Sequence, residues 1–153
     1  MLETIDPIGM HAQAATLQAF ELMCFTELTP LPEPEAMTGE RLVAQVDFDG
    51  DAGGQLRMEL PAGAANAIAA NFFGDDDSER SAFQVQSLVC ELTNIICGSL
   101  LSQLNPASVV VLSTPELYTT AEGSPLETSY SFRLDEWPVR ISMAWSSPKE
   151  RVA

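Results

Sequence analysis

A carboxylate and a carboxamide three residues apart, Glu91 and Asn94, stand in the otherwise almost wholly apolar stretch SLVCELTNIICGSLLSQL, residues 87–104. Glu91 is the only charged residue between Arg80 and Glu116, in a chain that holds twenty-two acids. A carboxylate can take a lysine from a partner, and a carboxamide can both donate to and accept from a water. On a helix, side chains three apart share a face, so both groups could reach one external target. Placed at about 100° per residue, Gln84, Ser87, Glu91, Asn94, Gly98 and Ser102 fall within a sector of about 80°. Val85, Leu88, Val89, Leu92, Ile95, Ile96, Leu100 and Leu101 lie outside it. The spacing therefore predicts a helix packed on most sides, with one narrow polar stripe.

The composition of the stripe separates two readings. A solvated stripe usually carries Lys, Glu and Arg, often as pairs one turn apart. Here small or neutral groups surround a single carboxylate, and Gly98 costs about 1 kcal/mol of helix propensity against alanine. Small residues along one face let another surface approach closely. The competing reading is structural, with Glu91 satisfied internally by Arg80 or a backbone group. A buried, hydrogen-bonded Glu91 would exclude a docking role.

Other chemistry has little support. Asp47, Asp49 and Asp51 in DFDGDAGG match the first spacings of a calcium loop, but Ala52 and Met58 stand where glycine and glutamate are required. That segment reads as an acidic hairpin turn, and GDDDSE as a polar loop leading into a helix. His11 is the only histidine, which argues against a zinc site. Trp137 and Trp145 read as packing residues. Cys90 and Cys97 would lie about 10 Å apart along a helix, beyond disulfide reach. With Cys24, they are expected as reduced core thiols in a reducing compartment. No metal and no cofactor of the chain's own is expected.

The 153 residues suit one domain, taken as residues 1–153, and 46% are hydrophobic. Seven basic residues against twenty-two acids give a net charge of −15, a surface that repels nucleic acid and anionic lipid. No stretch of about 18 uninterrupted apolar residues suggests a membrane span, and MLETIDPIGM has neither basic nor apolar signal regions. A cytoplasmic protein with no nucleic-acid or membrane partner is the expectation.

The elements that must position Glu91 and Asn94 follow from periodicity. Asp6-Pro7 can open a helix whose stripe is Met10, Leu17, Phe20 and Cys24. Pro30, Pro32 and Pro34 make an extended connector. Leu42, Ala44, Val46 and Phe48, then Leu56, Met58 and Leu60, alternate about DGDAGG as a hairpin. An Ala-rich helix from Pro61 to Phe73 stops at Gly74, and the long helix follows. SVVVL reads as a buried strand, then SYSFRLDEW and VRISMAW as two more. About three helices and five strands predict an α+β fold, a mostly antiparallel sheet packed by two long helices and a shorter one. Both long helices precede strands, so a pseudo-twofold repeat is expected.

Ser87-Leu-Val-Cys-Glu91-Leu-Thr-Asn94 resembles the (Asp/Ser)-x3-Glu-x2-Asn signature of the CheC/CheX/FliY response-regulator phosphatases. Gly98, the run into SQLNPASVVVLSTPELY, the AFELM helix and the GGQLRMELP segment ending NFFG look like CheX in particular. CheC and FliY carry the signature on both pseudo-symmetric helices, CheX on one. In the first helix here Glu21 is followed by Cys24 and preceded by Leu17, so that helix should be silent. The resemblance implies an enzyme that hydrolyses the phospho-aspartate of a CheY-like receiver domain, in chemotaxis or another two-component circuit. By resemblance Asn94 would orient the attacking water, Glu91 would pair with the receiver's lysine, and Ser87, Gly98 and Gln84 would line the contact. Mg²⁺ would reside in the receiver, and two copies would pair through their sheets. The alternative is a non-catalytic receiver-binding or assembly domain of the same fold.

Overall fold

The computed structural model describes residues 7–33, 35–74, 81–121 and 125–146. Its elements run α1 (Pro7–Cys24), β1 (Thr29–Leu31), β2 (Arg41–Gly50), β3 (Gly54–Pro61), α2 (Ala62–Phe73), α3 (Ala82–Leu104), β4 (Val110–Leu112), β5 (Glu116–Thr120), β6 (Thr128–Leu134) and β7 (Trp137–Trp145). Three helices and a seven-stranded sheet make up the α+β fold, and every strand pairing is antiparallel. Asp6, Pro34 and residues 75–80 of the GDDDSER loop lie outside the described residues.

The hairpins form where alternation predicts them. Leu42, Ala44, Val46 and Phe48 of β2 sit opposite Leu60, Met58, Leu56 and Gly54 of β3. Phe132 and Leu134 of β6 and Val139, Ile141 and Met143 of β7 extend the same apolar face. The three helices cover that face, and the joint core is one contiguous cluster. Gly50 (φ 127°) is required where β2 meets the segment before β4, since a Cβ there would fall 2.4 Å from the Val109 carbonyl. Asp51 Oδ2 accepts from the Val109 amide at 2.7 Å, which is the structural use of one of the calcium-loop aspartates.

Strand order is β1-β6-β7-β3-β2, with β4 and β5 both on the outer side of β2. That order is a twofold exchange. The half α1-β1-β2-β3 sends β1 to pair with β6 of the other half, and α3-β5-β6-β7 sends β5 to pair with β2. β3 and β7 meet across the pseudo-axis. The two long helices therefore occupy equivalent places, and α1 packs chiefly on α3. His11 Nδ1 and Gln103 Oε1, 3.0 Å apart, join them.

Three strands differ from the sequence expectation. β1 forms inside the proline-interrupted connector, where an edge position tolerates Pro30 because its missing N–H is not needed for the ladder. SVVVL is not a buried strand: β4 is three residues at the rim, with Val111 exposed. β5 follows it on the same edge.

The opposite face of the sheet is polar, and its centre is covered. Glu59 is fully buried between Arg140 (Nη2–Oε2 2.9 Å) and Arg41 (Nη1–Oε2 3.9 Å). Arg41 Nη2 donates to the carbonyls of Met37, Gly39 and Ala121, which lays both connecting segments across this face. A buried carboxylate held by two guanidiniums contributes little net stability over an apolar substitute, but removing it strands two charges. Glu59→Ala should lower unfolding free energy by about 3–5 kcal/mol in urea denaturation.

All three cysteines are free. Burial pushes the Cys24 and Cys97 thiols up to about 12, and raises Cys90 as well. Because these folded-state values exceed the ordinary 9.0, the associated stability is intact below pH 9.0 and is lost as pH climbs toward about 12. Cys24 and Cys97 should remain unmodified by a thiol-specific reagent at pH 8 until urea unfolds the chain.

Candidate functional site

The helix that carries the site is held at both ends. Ser81 is the N-cap of α3: its hydroxyl accepts from the Gln84 amide at 3.1 Å, while Gln84 Oε1 accepts from the Ser81 amide at 3.0 Å. This reciprocal box satisfies two amides that a helix start would leave open. It also gives Gln84 a structural task that its place in the stripe did not disclose. At the far end Asn105 donates its amide to the Leu101 carbonyl, and Pro106 prevents continuation.

Nine residues of α3 are buried: Val85, Leu88, Val89, Leu92, Thr93, Ile96, Cys97, Leu100 and Leu101. By length and composition α3 would pass for a membrane-crossing helix, yet half of its apolar stretch is buried within the protein. Its apolarity thus has a partner in the core. The strip left outward contains the predicted residues. Gln84, Ser87, Glu91 and Ser102 are exposed, and Asn94 and Gly98 are half-buried. Among the described residues no cation pairs with Glu91. The exposure of Glu91 removes the reading in which a buried carboxylate is satisfied by the backbone; Arg80 lies outside the described residues.

Two shallow grooves flank the strip. One, about 440 Å³, runs between α3 and the β4–β5 connection and is lined by Ser87, Cys90, Glu91 and Asn94 against Thr114, Pro115 and Leu117. The second, about 310 Å³, lies toward the ends of α1 and α2 and is lined by Gln84, Ser87 and Glu91 with Met23, Phe72 and Phe73. Ser87, Glu91 and Phe83 belong to both. Gly98 falls elsewhere, in a smaller recess of about 140 Å³ with Ser102 and Asn105. The structure thus gathers Ser87, Glu91 and Asn94 in one place and sets Gly98 one turn beyond it.

Sequence reasoning missed Phe83 and Cys90. A phenylalanine at the start of an apolar helix reads as core, yet Phe83 is 77% exposed. Cys90 was expected in the core and instead is half-buried in the groove wall beside Asn94, its raised thiol value making it a poor nucleophile. Glu21 on α1 is exposed, but Cys24, in the place equivalent to Asn94, is buried. At the place that matches Asn94, α1 thus offers a buried thiol and no carboxamide.

An α+β domain with two equivalent helices on a strand-exchanged sheet, one of them displaying an acid and an amide, defines the class. The family model for Chemotaxis phosphatase CheX matches residues 42–132, more than half of the chain, and the chain belongs to that family. Among solved structures, the chemotaxis protein CheX from Vibrio vulnificus is similar at 17% identity and TM-score 0.77, over 95% of this chain and 100% of that one. A CheX from Desulfovibrio desulfuricans is similar at 16% identity and TM-score 0.73, over 92% and 100%. A chain of the CheX–CheY–BeF3–Mg²⁺ complex from Borrelia burgdorferi matches at 16% identity and TM-score 0.63, over 92% and 99%. No curated protein sequence matches the chain.

A Cβ added to Gly98 would meet only Leu112 Cδ1, at an ordinary 3.7 Å. Among the described residues, nothing therefore demands glycine there. Gly98→Ala should raise stability by about 0.5–1 kcal/mol in urea denaturation. An unchanged or lower value would show that Gly98 serves the fold.

Proposed function

We propose that this chain is a protein phosphatase that hydrolyses the aspartyl phosphate of a CheY-like receiver domain in the cytoplasm. The observation that carries the reading is the pairing of exposed Glu91 and half-buried Asn94 on one face of α3, in the wall of a groove that is lined by no cation among the described residues. Membership of the CheX family supports it, as does the likeness to a chain of a CheX–CheY complex.

The chemistry asked of the chain is small. An acyl phosphate is already labile, and the receiver's Mg²⁺ would offset charge on the phosphoryl oxygens. What the receiver lacks is a water held in line with phosphorus. Asn94, entering the receiver's pocket, has a carboxamide oxygen to accept from that water and an NH₂ to donate to a neighbouring oxygen. Glu91 pairs with a receiver lysine and fixes the register, while Ser87 lies one turn back along the contact and Gln84 beyond it. Catalysis is then positioning, with no acid, base or metal supplied by this chain. Gly98 gives the receiver close approach at the far end of the strip. The same proposal includes a homodimer joined through the sheet, supported by the β4–β5 edge with its exposed Val111 and Tyr118.

Phosphate release from a Mg²⁺-bound phosphorylated receiver, followed at increasing receiver concentration, tests this reading. Asn94→Ala should lower kcat by about 100-fold with little change in receiver affinity. Glu91→Ala should raise the half-saturating receiver concentration by about tenfold or more and depress the rate with it. Wild type and Asn94→Ala binding the receiver equally, with no acceleration by either, would make the chain a non-catalytic receiver-binding domain.

A further inference from the structure

Three helix ends meet beside Glu91. The last turn of α1 brings Met23, the last turn of α2 brings Phe72 and Phe73, and the first turn of α3 brings Phe83. Asn71 Nδ2 donates to Thr26 Oγ1 at 2.9 Å and ties the α1 and α2 ends together. Phe72 and Phe73 are 42% and 40% exposed and pack edge to face, their ring centres 5.0 Å apart. Single exposed apolar side chains are ordinary on a protein surface, but contiguous ones that share a groove with a charged site mark a contact surface.

Helix geometry fixes how this patch relates to the reacting residues. Phe83 lies within about 20° of Asn94 around α3 and about 12 Å along the axis from Glu91. A partner that covers Glu91 and Asn94 with a stable footprint of about 800 Å² reaches farther than that. A partner centred on Glu91 therefore also rests on Phe83. Phe83, Ser87 and Glu91 line both grooves, so the polar and apolar parts form one surface.

Charge decides between occupants. Among the described residues, neither groove is lined by a lysine or arginine. A second copy seated here about a twofold axis would bring two Glu91 carboxylates toward each other with no cation between them. A partner that carries a cation for Glu91 and an apolar side chain next to it has no such conflict.

Resting on the phosphatase reading, we infer that the groove formed by Met23, Phe72, Phe73 and Phe83 is the affinity-determining part of the receiver-docking surface. It takes an apolar side chain that the receiver presents beside its phosphorylation pocket. Phe83 is the anchor, since buried aromatics at the centre of an interface carry a disproportionate share of binding. Binding energy comes from this end of the strip, and rate from Asn94.

The test uses the full chain and a receiver phosphorylated with acetyl phosphate in Mg²⁺, with the beryllofluoride-activated receiver for equilibrium binding. Phe83→Ala and Phe73→Ser are compared with wild type, with Asn94→Ala, and with Met10→Gln as a control for an exposed apolar residue elsewhere on α1. Thermal melts check that each variant is folded; Phe83 is exposed, so its removal should leave the melt unchanged. The expected result is a rise of about tenfold or more in half-saturating receiver concentration and in Kd for Phe83→Ala, with kcat within about twofold. Phe73→Ser should follow in the same direction and Met10→Gln should match wild type. Wild-type affinity and turnover in Phe83→Ala would overturn the inference while leaving the phosphatase reading standing. Loss of self-association on sedimentation of Phe83→Ala would overturn it in favour of a second copy. Wild type that binds but does not turn over would sink the phosphatase reading alone, and the binding arm would still decide the groove. Wild type that neither binds nor accelerates would remove both.

Discussion

A helix that must bury most of its circumference has only one strip left for chemistry. The position of that strip is set by everything the helix packs against. α3 buries nine residues against the sheet and α1, so its rotation about its own axis is fixed by close packing rather than by the functional residues themselves. Glu91 and Asn94 need no hydrogen-bond network to aim them. Their direction follows from Val85, Leu88, Leu92 and Ile96 being inside. The capping box of Ser81 and Gln84 fixes where the helix begins, and so where Phe83 stands.

The twofold exchange of edge strands makes the scaffold capable of two such strips, one on each long helix. Only α3 uses it. In α1 the equivalents of Ser87 and Asn94 are Leu17, which is half-buried, and Cys24, which is buried. The fold thus supplies the presentation and the sequence supplies the chemistry, separately for each half. The far face of the sheet is unrelated to the site. There Glu59 of β3 ties Arg41 of β2 to Arg140 of β7, and Arg41 holds the carbonyls of Met37 and Ala121.

Elements with a strong period were legible in the sequence. Alternation in β2, β3, β6 and β7 and the apolar face of α3 each reflect local side-chain direction, which neighbouring residues report. Gly74 as the stop of α2 was legible for the same reason, since its φ of 66° suits a residue without a Cβ. β1 and β5 were not, because each is defined by a partner in the other half of the chain and carries no alternation long enough to count. SVVVL misled by composition: three valines suggest burial, but a rim strand needs only one covered side. Glu59 gave no signal, since a glutamate on the polar side of a strand reads as solvated until Arg41 and Arg140 are placed over it. That Glu91 and Asn94 lie on the outward strip of α3 was legible through the isolation of one charge. Phe83 was not, because its apolar type matches its neighbours and only the end of the helix leaves it exposed.

A phosphatase turns its receiver over, whereas a binding domain merely holds it. The most direct measurement is phosphate released from a phosphorylated, Mg²⁺-bound receiver present in excess over the chain, counted per molecule of chain before spontaneous loss contributes. Wild type should release many phosphates per chain, and an Asn94→Ala chain that still co-elutes with the receiver about 100-fold fewer in the same time. A stoichiometric complex with phosphate loss no faster than from the receiver alone would contradict the phosphatase reading.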